Sequence, residues 1–445
     1  MKSVVKNRKA NDWYVSLMES FEAKLNGKDN SFLKDLRKSA IDKLAATDFP
    51  TLKTEEWKYT NLNRVLKNEF IHAASVEKVD LVKEDVDKFK AEDFEYHLLV
   101  FINGIFSEEL SEVGELPKNV FAGSLNDEIQ SDNKIVKNYL GKQIENKTAF
   151  DHLNDAYMLD GAFVSIPDGT VLEKPIQVLN ISGHKNELTF NTPRNLIVAG
   201  KNAQASIFFK YVGIEGNKYF TNSVTEIFVD ESAMVNVYKI ELEDVESYHI
   251  ERTEIYQKAN SIFNHYNFTF GGSLVRNDIN SIMDDENIEC HLNGLYIGRD
   301  SQHFDNHTFI DHAKPNCYSN ELYKGILDDK AHGVFSGKIL VDKDAQKTNA
   351  YQSNKTILLS EEASIDTKPQ LEIYADDVKC SHGATVGHLD ETALFYILSR
   401  GIPEEKAKSM LITAFAEDVV SKVKISELKD KLNHLIFEHL NRVEV

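Results

Sequence analysis

From about residue 150 to residue 385 the chain almost loses helical spacing and becomes one short strand after another: "IQVLNISG", "ASIFFKYVG", "SVTEIFVD", "MVNVYKIELE", "TEIYQKA", "SIFNHYNFTFGG". Short segments that alternate apolar and polar residues between polar turns specify strands with one buried face. Prolines are sparse here, as continuous sheet requires. Many strands begin after a polar turn ending in alanine, at Ala203, Ala233, Ala259, Ala331, Ala345 and Ala363. A small residue recurring where the chain turns fits a coiled β architecture of stacked rungs. A large antiparallel β-sandwich writes a similar pattern, and the pattern alone leaves both open.

Helical spacing frames this region on both sides. In "DWYVSLMESFEAKLNG", Trp13, Leu17, Phe21 and Leu25 recur as on one helix face, with Gly27 as the stop. "SFLKDLRKSAIDKLAATDFP" carries a stripe of Leu33, Leu36, Ile41 and Leu44, with Ser31 as N-cap. "YHLLVFINGIF" is a strand pair turning at Asn103-Gly104, and "DEIQSDNKIVKNYLGKQI" is helical. After the strands, Asp390 is placed to cap "ETALFYILSR", Gly401 stands at C′, and Pro403 opens the next helix as N1. Ser426 is placed to cap a last helix striped by Leu428, Leu432, Leu435, Ile436 and Leu440. The division is therefore an N-terminal mixed, mainly helical domain over 1–150, a β core over 151–388 and a helical domain over 389–445. Each C-terminal helix is amphipathic and needs a surface to cover, in this chain or in a partner.

Lys and Arg number 51 against 71 Asp and Glu, a net charge of −20. A surface this acidic repels phosphate backbones and anionic lipid, which argues against nucleic acid and membrane partners. Three cysteines form no disulfide framework and fit a reducing cytoplasm. No apolar run has the length of a signal-peptide core or a membrane span. Neither a G-x-x-x-x-G-K-[ST] nor a G-x-G-x-x-G motif is present, so nucleotide chemistry must come from a partner.

The densest chemistry lies in "KCSHGATVGHLD", residues 379–390. The apolar parity shifts at Asp376-Asp377, which marks a turn or bulge. Beyond it Val378, Cys380, His382 and Ala384 share one strand face, with thiol and imidazole ~7 Å apart along the chain. The pair reads as an activated nucleophile, as half of a metal site completed elsewhere, or as a buried cysteine beside a hydrogen-bonded histidine. A second candidate, "HFDNHTFIDH", places His303, Asp305 and His307 on one face and His312 on the other, so three-histidine ligation there needs a bulge.

The stretch "LEIYADDVKCSHGATVGHLDETALFYILSRGI" resembles the C-terminal signature of the SufB/SufD family, the scaffold subunits of the SUF iron–sulfur cluster assembly system. The match runs through Asp376, Asp377, Cys380, Ser381, His382, Gly383, Ala384, Thr385, Phe395, Tyr396, Ser399, Arg400 and Gly401. Upstream, Tyr323-Lys324-Gly325, Phe335, Gly337 and the stretch 346–354 are similar to the same family. "EEWKYT", from Glu55 to Thr60, resembles the segment preceding the core in the SufD branch.

The resemblance implies a mainly β fold, a right-handed parallel β-helix flanked by an N-terminal mixed helical domain and a C-terminal helical domain. It implies a non-catalytic scaffold that pairs with SufB through the β-helix ends and binds the SufC ATPase through the C-terminal helices. Tyr396, Arg400, Gly401 and Phe415 are the residues expected at that helical contact. His382, with Cys380 beside it, is implied as the cluster-assembly residue at the shared junction and as a candidate metal ligand. Mixed His/Cys ligation of such clusters is chemically sound. The chain alone is expected to hold no stable cofactor: the Fe–S cluster is transient, ATP acts through SufC, and nothing in the residues supports a flavin. An isolated chain could pair with itself as a homodimer. Two other readings are an adaptor that contributes no ligand, and a stand-alone cytosolic β-rich metal-binding protein or enzyme using Cys380/His382 or His303/His307.

Overall fold

The computed structural model describes residues 2–25, 31–90 and 94–440, and of residues 2–8 the backbone only. Gly27, expected to stop the first helix, lies outside the described residues. The region of alternating strands is a parallel β-solenoid. Every second strand joins the same sheet, so the chain climbs one rung for every two strands. One wall runs from Ala162–Ile166 through Arg194–Ala199, Tyr219–Val229, Tyr248–Gln257, Leu274–Met283, His303–His312 and His332–Val341 to Ser364–Ile373. The facing wall runs from Ile176–Ser182 through Gln204–Gly213, Met234–Leu242, Ile262–Thr269, Glu289–Gly298, Tyr318–Leu327 and Asn349–Leu358 to Lys379–Gly387. All neighbours within this stack are parallel and in unbroken register. That settles the choice between solenoid and sandwich, since sandwich sheets are antiparallel.

The turns explain the recurring alanine. At the edge leading into the second wall, Asn202, Ser232, Asn260, Asn287, Asn316 and Lys347 take positive φ, from 56° to 63°. Mostly asparagine fills this left-handed position, as its tolerance of that region predicts. Each N–H donates to a carbonyl in the turn above, as in Asn202 to Glu231, Asn316 to Gln346 and Lys347 to Asp377. The next residue turns inward and is fully buried: Ala203, Ala233, Ser261, Ile288, Cys317 and Thr348. Cys317 is therefore a corner residue. Ala331 and Ala363 belong to the opposite edge, and Ala259 and Ala345 lie before the inward position, so the alanine pattern mixed two corners.

The outer face of the first wall is covered by the N-terminal helices. Helix Ala149–Tyr157, which runs past the expected boundary at residue 150, is buried at every residue and packs between Ser31–Ala46 and the solenoid. Asn154 donates to the carbonyls of Pro193 (3.1 Å) and Asn222 (2.8 Å). The Asn103-Gly104 turn forms as expected, with φ of 51° and 78°. "DEIQSDNKIVKNYLGKQI" is two short helices, Leu125–Gln130 and Lys134–Tyr139, broken where Asp132 takes φ 66°. Likewise the first helix breaks at Leu17 into Lys2–Ser16 and Met18–Leu25.

The second wall is covered by Glu404–Val420 and Ser426–Leu440, which bury Ile412, Ala416, Val419, Leu428, Leu432 and Ile436 against Tyr238, Phe268 and Leu295. Pro403 is the N-cap of the first of these helices rather than its N1 residue. Helix Glu391–Leu398 has no buried residue.

The two ends of the solenoid differ. At the first, His97–Ile102 adds a parallel strand beside Ile176–Ser182, and Phe121–Ser124 adds an antiparallel one beside Ala162–Ile166. At the other, among the described residues no strand pairs beyond Ser364–Ile373 and Lys379–Gly387. Pro369 sits in one of these edge strands, where a missing donor is tolerated.

Candidate functional site

The open end carries the residues singled out in the sequence. Asp376-Asp377 is a turn, pinned by the Asp377 N–H donating to Gln346 Oε1 (2.9 Å) and by the Lys347 N–H donating to the Asp377 carbonyl (2.6 Å). The strand Lys379–Gly387 then lies on Asn349–Leu358, with Cys380 opposite Ala350 and His382 opposite Gln352. Ala350 and Gln352 are buried inside the solenoid, so Cys380 and His382 face the same lumen. The half-buried Cys380 packs against the interior apolar cluster, and that burial pushes its thiol up. His382 points the same way yet is exposed, because among the described residues no further rung covers the lumen.

The chain leaves this rung directly into the C-terminal helices. His388 Nδ1 lies 2.9 Å from the Leu358 carbonyl, holding the exit to the wall below. Asp390 caps as expected, its Oδ1 accepting from the N–H of Thr392 (2.8 Å) and Ala393 (3.2 Å). On the helix it starts, Phe395 is 72% and Tyr396 58% exposed, a large apolar surface beside the open end. The Arg400 guanidinium lies 4.5 Å over the Tyr396 ring, and Gly401 ends the segment with φ 82°. Phe415 is different: its ring lies under Lys324 Nζ at 4.1 Å and faces the solenoid. Lys324 also donates to the Phe415 carbonyl (2.6 Å) and pairs with Asp418.

His303 and His307 face outward onto the N-terminal domain, and His312 faces the lumen. His303 Nε2 lies 2.8 Å from Thr60 Oγ1, and His307 lies 2.9 Å from Asp305. Asp305 also receives Arg276 (2.7 Å), whose guanidinium stacks 3.7 Å from the Trp57 ring and donates to the Glu56 carbonyl (2.7 Å). Burial holds His303 down at about 4. "EEWKYT" and "HFDNH" thus meet in one buried lock between the N-terminal segment and the solenoid wall, a pairing that no spacing rule could find. His312 is held neutral by burial, at about 3, with Nε2 2.8 Å from Ser319 Oγ. Burial likewise raises Cys290 and Cys317, to about 12 and about 11, as befits inert structural thiols.

The sequence reading missed a charged cluster at mid-solenoid. Lys239, Glu241, Glu243, His249 and Glu251 are all buried within the lumen. Glu241, His249 and Glu251 bring one ligand atom each within 4.8 Å of one another. Lys239 Nζ already sits between the two carboxylates, 3.0 Å from Glu241 and closer still to Glu251, and donates to Asn277 Oδ1 (2.6 Å). The resident cation is thus the ammonium. His249 Nδ1 lies 2.9 Å from Glu243; burial is the largest influence and lowers its pKa, but Glu243 and Glu251 together raise it by more, and the ring ends at about 9. Each of these residues reads alone as an ordinary polar strand position, and only the coil brings them together.

The fold and site define a class, a parallel β-solenoid that carries Cys380 and His382 on a terminal rung beyond which no strand pairs among the described residues. Residues 180–415 match the SufBD core domain of SUF system FeS cluster assembly, and residues 8–178 match the SufBD protein N-terminal region. An iron–sulfur cluster assembly SufBD family protein of Synechocystis is 34% identical over 93% of each chain. SufD of Escherichia coli is 30% identical over 88% of this chain and 89% of its own, and SufD of Bacillus subtilis is 25% identical over 94% and 96%. The chain belongs to the SufBD family and is an iron–sulfur cluster assembly subunit of the SUF system. Among the described residues, no helix is long and apolar enough to cross a membrane.

Proposed function

We propose that the chain is the SufD-type scaffold of a SUF complex, non-catalytic in itself. It pairs through its open end with SufB and presents the exposed helix Glu391–Leu398 to the SufC ATPase. A nascent Fe–S cluster, as cargo, forms at the shared junction with His382 as a ligand or assembly residue and Cys380 beside it. ATP enters through SufC, and the complex works in the cytoplasm. The observation that supports this reading is the terminal rung: an imidazole and a thiol face a lumen whose end and strand edges no strand covers among the described residues. An unpaired edge is a template for another chain's strand. The alternative at His303/His307 has less support, because both rings are tied up against Thr60 and the Asp305–Arg276 pair.

The test is anaerobic reconstitution with SufB and SufC, reading cluster absorbance. A His382→Ala chain should still assemble the three-subunit complex and lose most of the cluster signal. Undiminished cluster in an intact variant complex would remove His382 from the chemistry. An isolated chain that binds iron tightly and ignores SufB would favour the stand-alone reading.

A further inference from the structure

Below His382 the lumen holds a short polar column. Gln352 is its register partner one rung down, and Glu321 is the partner of Gln352 one rung further. Strands in register lie about 4.8 Å apart, within reach of neighbouring polar side chains. Glu321 and Gln352 are buried, at 1% and 3% exposure. The Gln352 amide nitrogen donates to Glu321 Oε2. Its other end, Oε1, is buried and accepts no hydrogen bond among the described residues. The facing wall makes room for this amide at Gly337: a Cβ there would lie 2.2 Å from Gln352 Nε2 and 2.9 Å from the Phe335 ring. The amide is therefore held from below and from across the lumen, with one acceptor left over. In its column the next side chain up is His382.

We propose that Glu321 and Gln352 are positioning residues for His382: Glu321 holds the Gln352 amide so that its Oε1 accepts one imidazole N–H, fixing the tautomer and turning the other ring nitrogen toward the open end. Ligating histidines are commonly oriented by a hydrogen bond of this kind from the nitrogen that does not ligate. Burial pushes the Glu321 carboxyl up to about 7, and in either protonation state Oε2 accepts from the amide.

The inference rests on His382 being the working residue, but its test does not depend on cluster formation. The full chain is labelled with ¹⁵N in the histidine rings, and the His382 signals are assigned by their loss in His382→Ala. In the neutral ring, one tautomer should exceed its share in a solvated histidine about threefold to tenfold. Gln352→Leu and Glu321→Leu should return the ratio to that of a solvated ring. Glu321→Gln should keep the bias, because its amide oxygen accepts the same hydrogen bond. Gly337→Ala, which crowds the amide from the opposite wall, should shift the His382 signals even if Gln352→Leu fails to fold. A His382 tautomer ratio unchanged by Gln352→Leu or Gly337→Ala overturns the column. Loss of bias in these variants while His382→Ala still builds clusters would retain the column and sink the functional reading instead.

Discussion

Lys239 shows how much one residue can carry inside a solenoid. Its ammonium offsets buried carboxylates that have no water to turn to. Lys239→Met leaves Glu241, Glu243 and Glu251 against His249 alone. We expect a loss of about 3–5 kcal/mol, read from urea unfolding midpoints. Glu321 makes the pH argument. Its folded pKa, about 7, lies above the ordinary carboxylate value, so the native state binds the proton more tightly than the unfolded chain. That contribution is complete below about pH 4.5, declines as pH rises toward 7, and is gone above it. Glu321→Gln should therefore match the parent near pH 4.5 and be more stable by about 1–3 kcal/mol at pH 8. Equal stabilities at both pH values would show that the carboxyl is not perturbed.

At the scale of strands and helices, Tyr323-Lys324-Gly325 has a physical reading that the family resemblance could not supply. Tyr323 faces the lumen over Gly294, where a Cβ would come within 2.2 Å of the ring. Gly325 in turn makes room for Tyr296, at 2.6 Å from an added Cβ. Lys324, between them, faces outward and clamps helix Glu404–Val420 through Phe415 and Asp418. Three consecutive residues thus serve lumen, helix and lumen, as the two-residue period of a strand requires. Gly325→Ala should cost about 1–3 kcal/mol by overpacking against Tyr296. Lys324→Ala should loosen the helix instead, seen as faster amide exchange in residues 404–420 with little change along Tyr318–Leu327.

For the molecule as a whole, the asymmetry of the two solenoid ends matters most. One end is extended by N-terminal strands, while at the other no strand among the described residues covers the two edge strands or the lumen. Native proteins rarely leave such edges without protection or a partner. Val386 lies on the inward-facing set of the last strand and is 48% exposed. Val386→Asp should change the stability of the isolated chain by no more than about 0.5 kcal/mol. It should nevertheless abolish comigration with SufB in size-exclusion chromatography. Comigration that survives this charge would place the SufB contact elsewhere on the surface.

Local chemistry alone determined a good deal: the strand alternation, the Asn103-Gly104 hairpin, the Asp376-Asp377 turn, the Asp390 cap, and a common face for Cys380 and His382. Each is set by residues within a few positions of one another. The tertiary structure alone decided what lies a rung or more apart in sequence: the Lys239 cluster and the stack of Glu321, Gln352 and His382, each built across neighbouring rungs, and the lock of Trp57 and Thr60 on Arg276 and His303, which joins segments more than 200 residues apart. It also separated the exposed Tyr396 from Phe415, which packs inward on Lys324. In a parallel coil the neighbours that matter are one full turn away, and the length of each turn varies with its loops. No fixed spacing in the sequence can announce them.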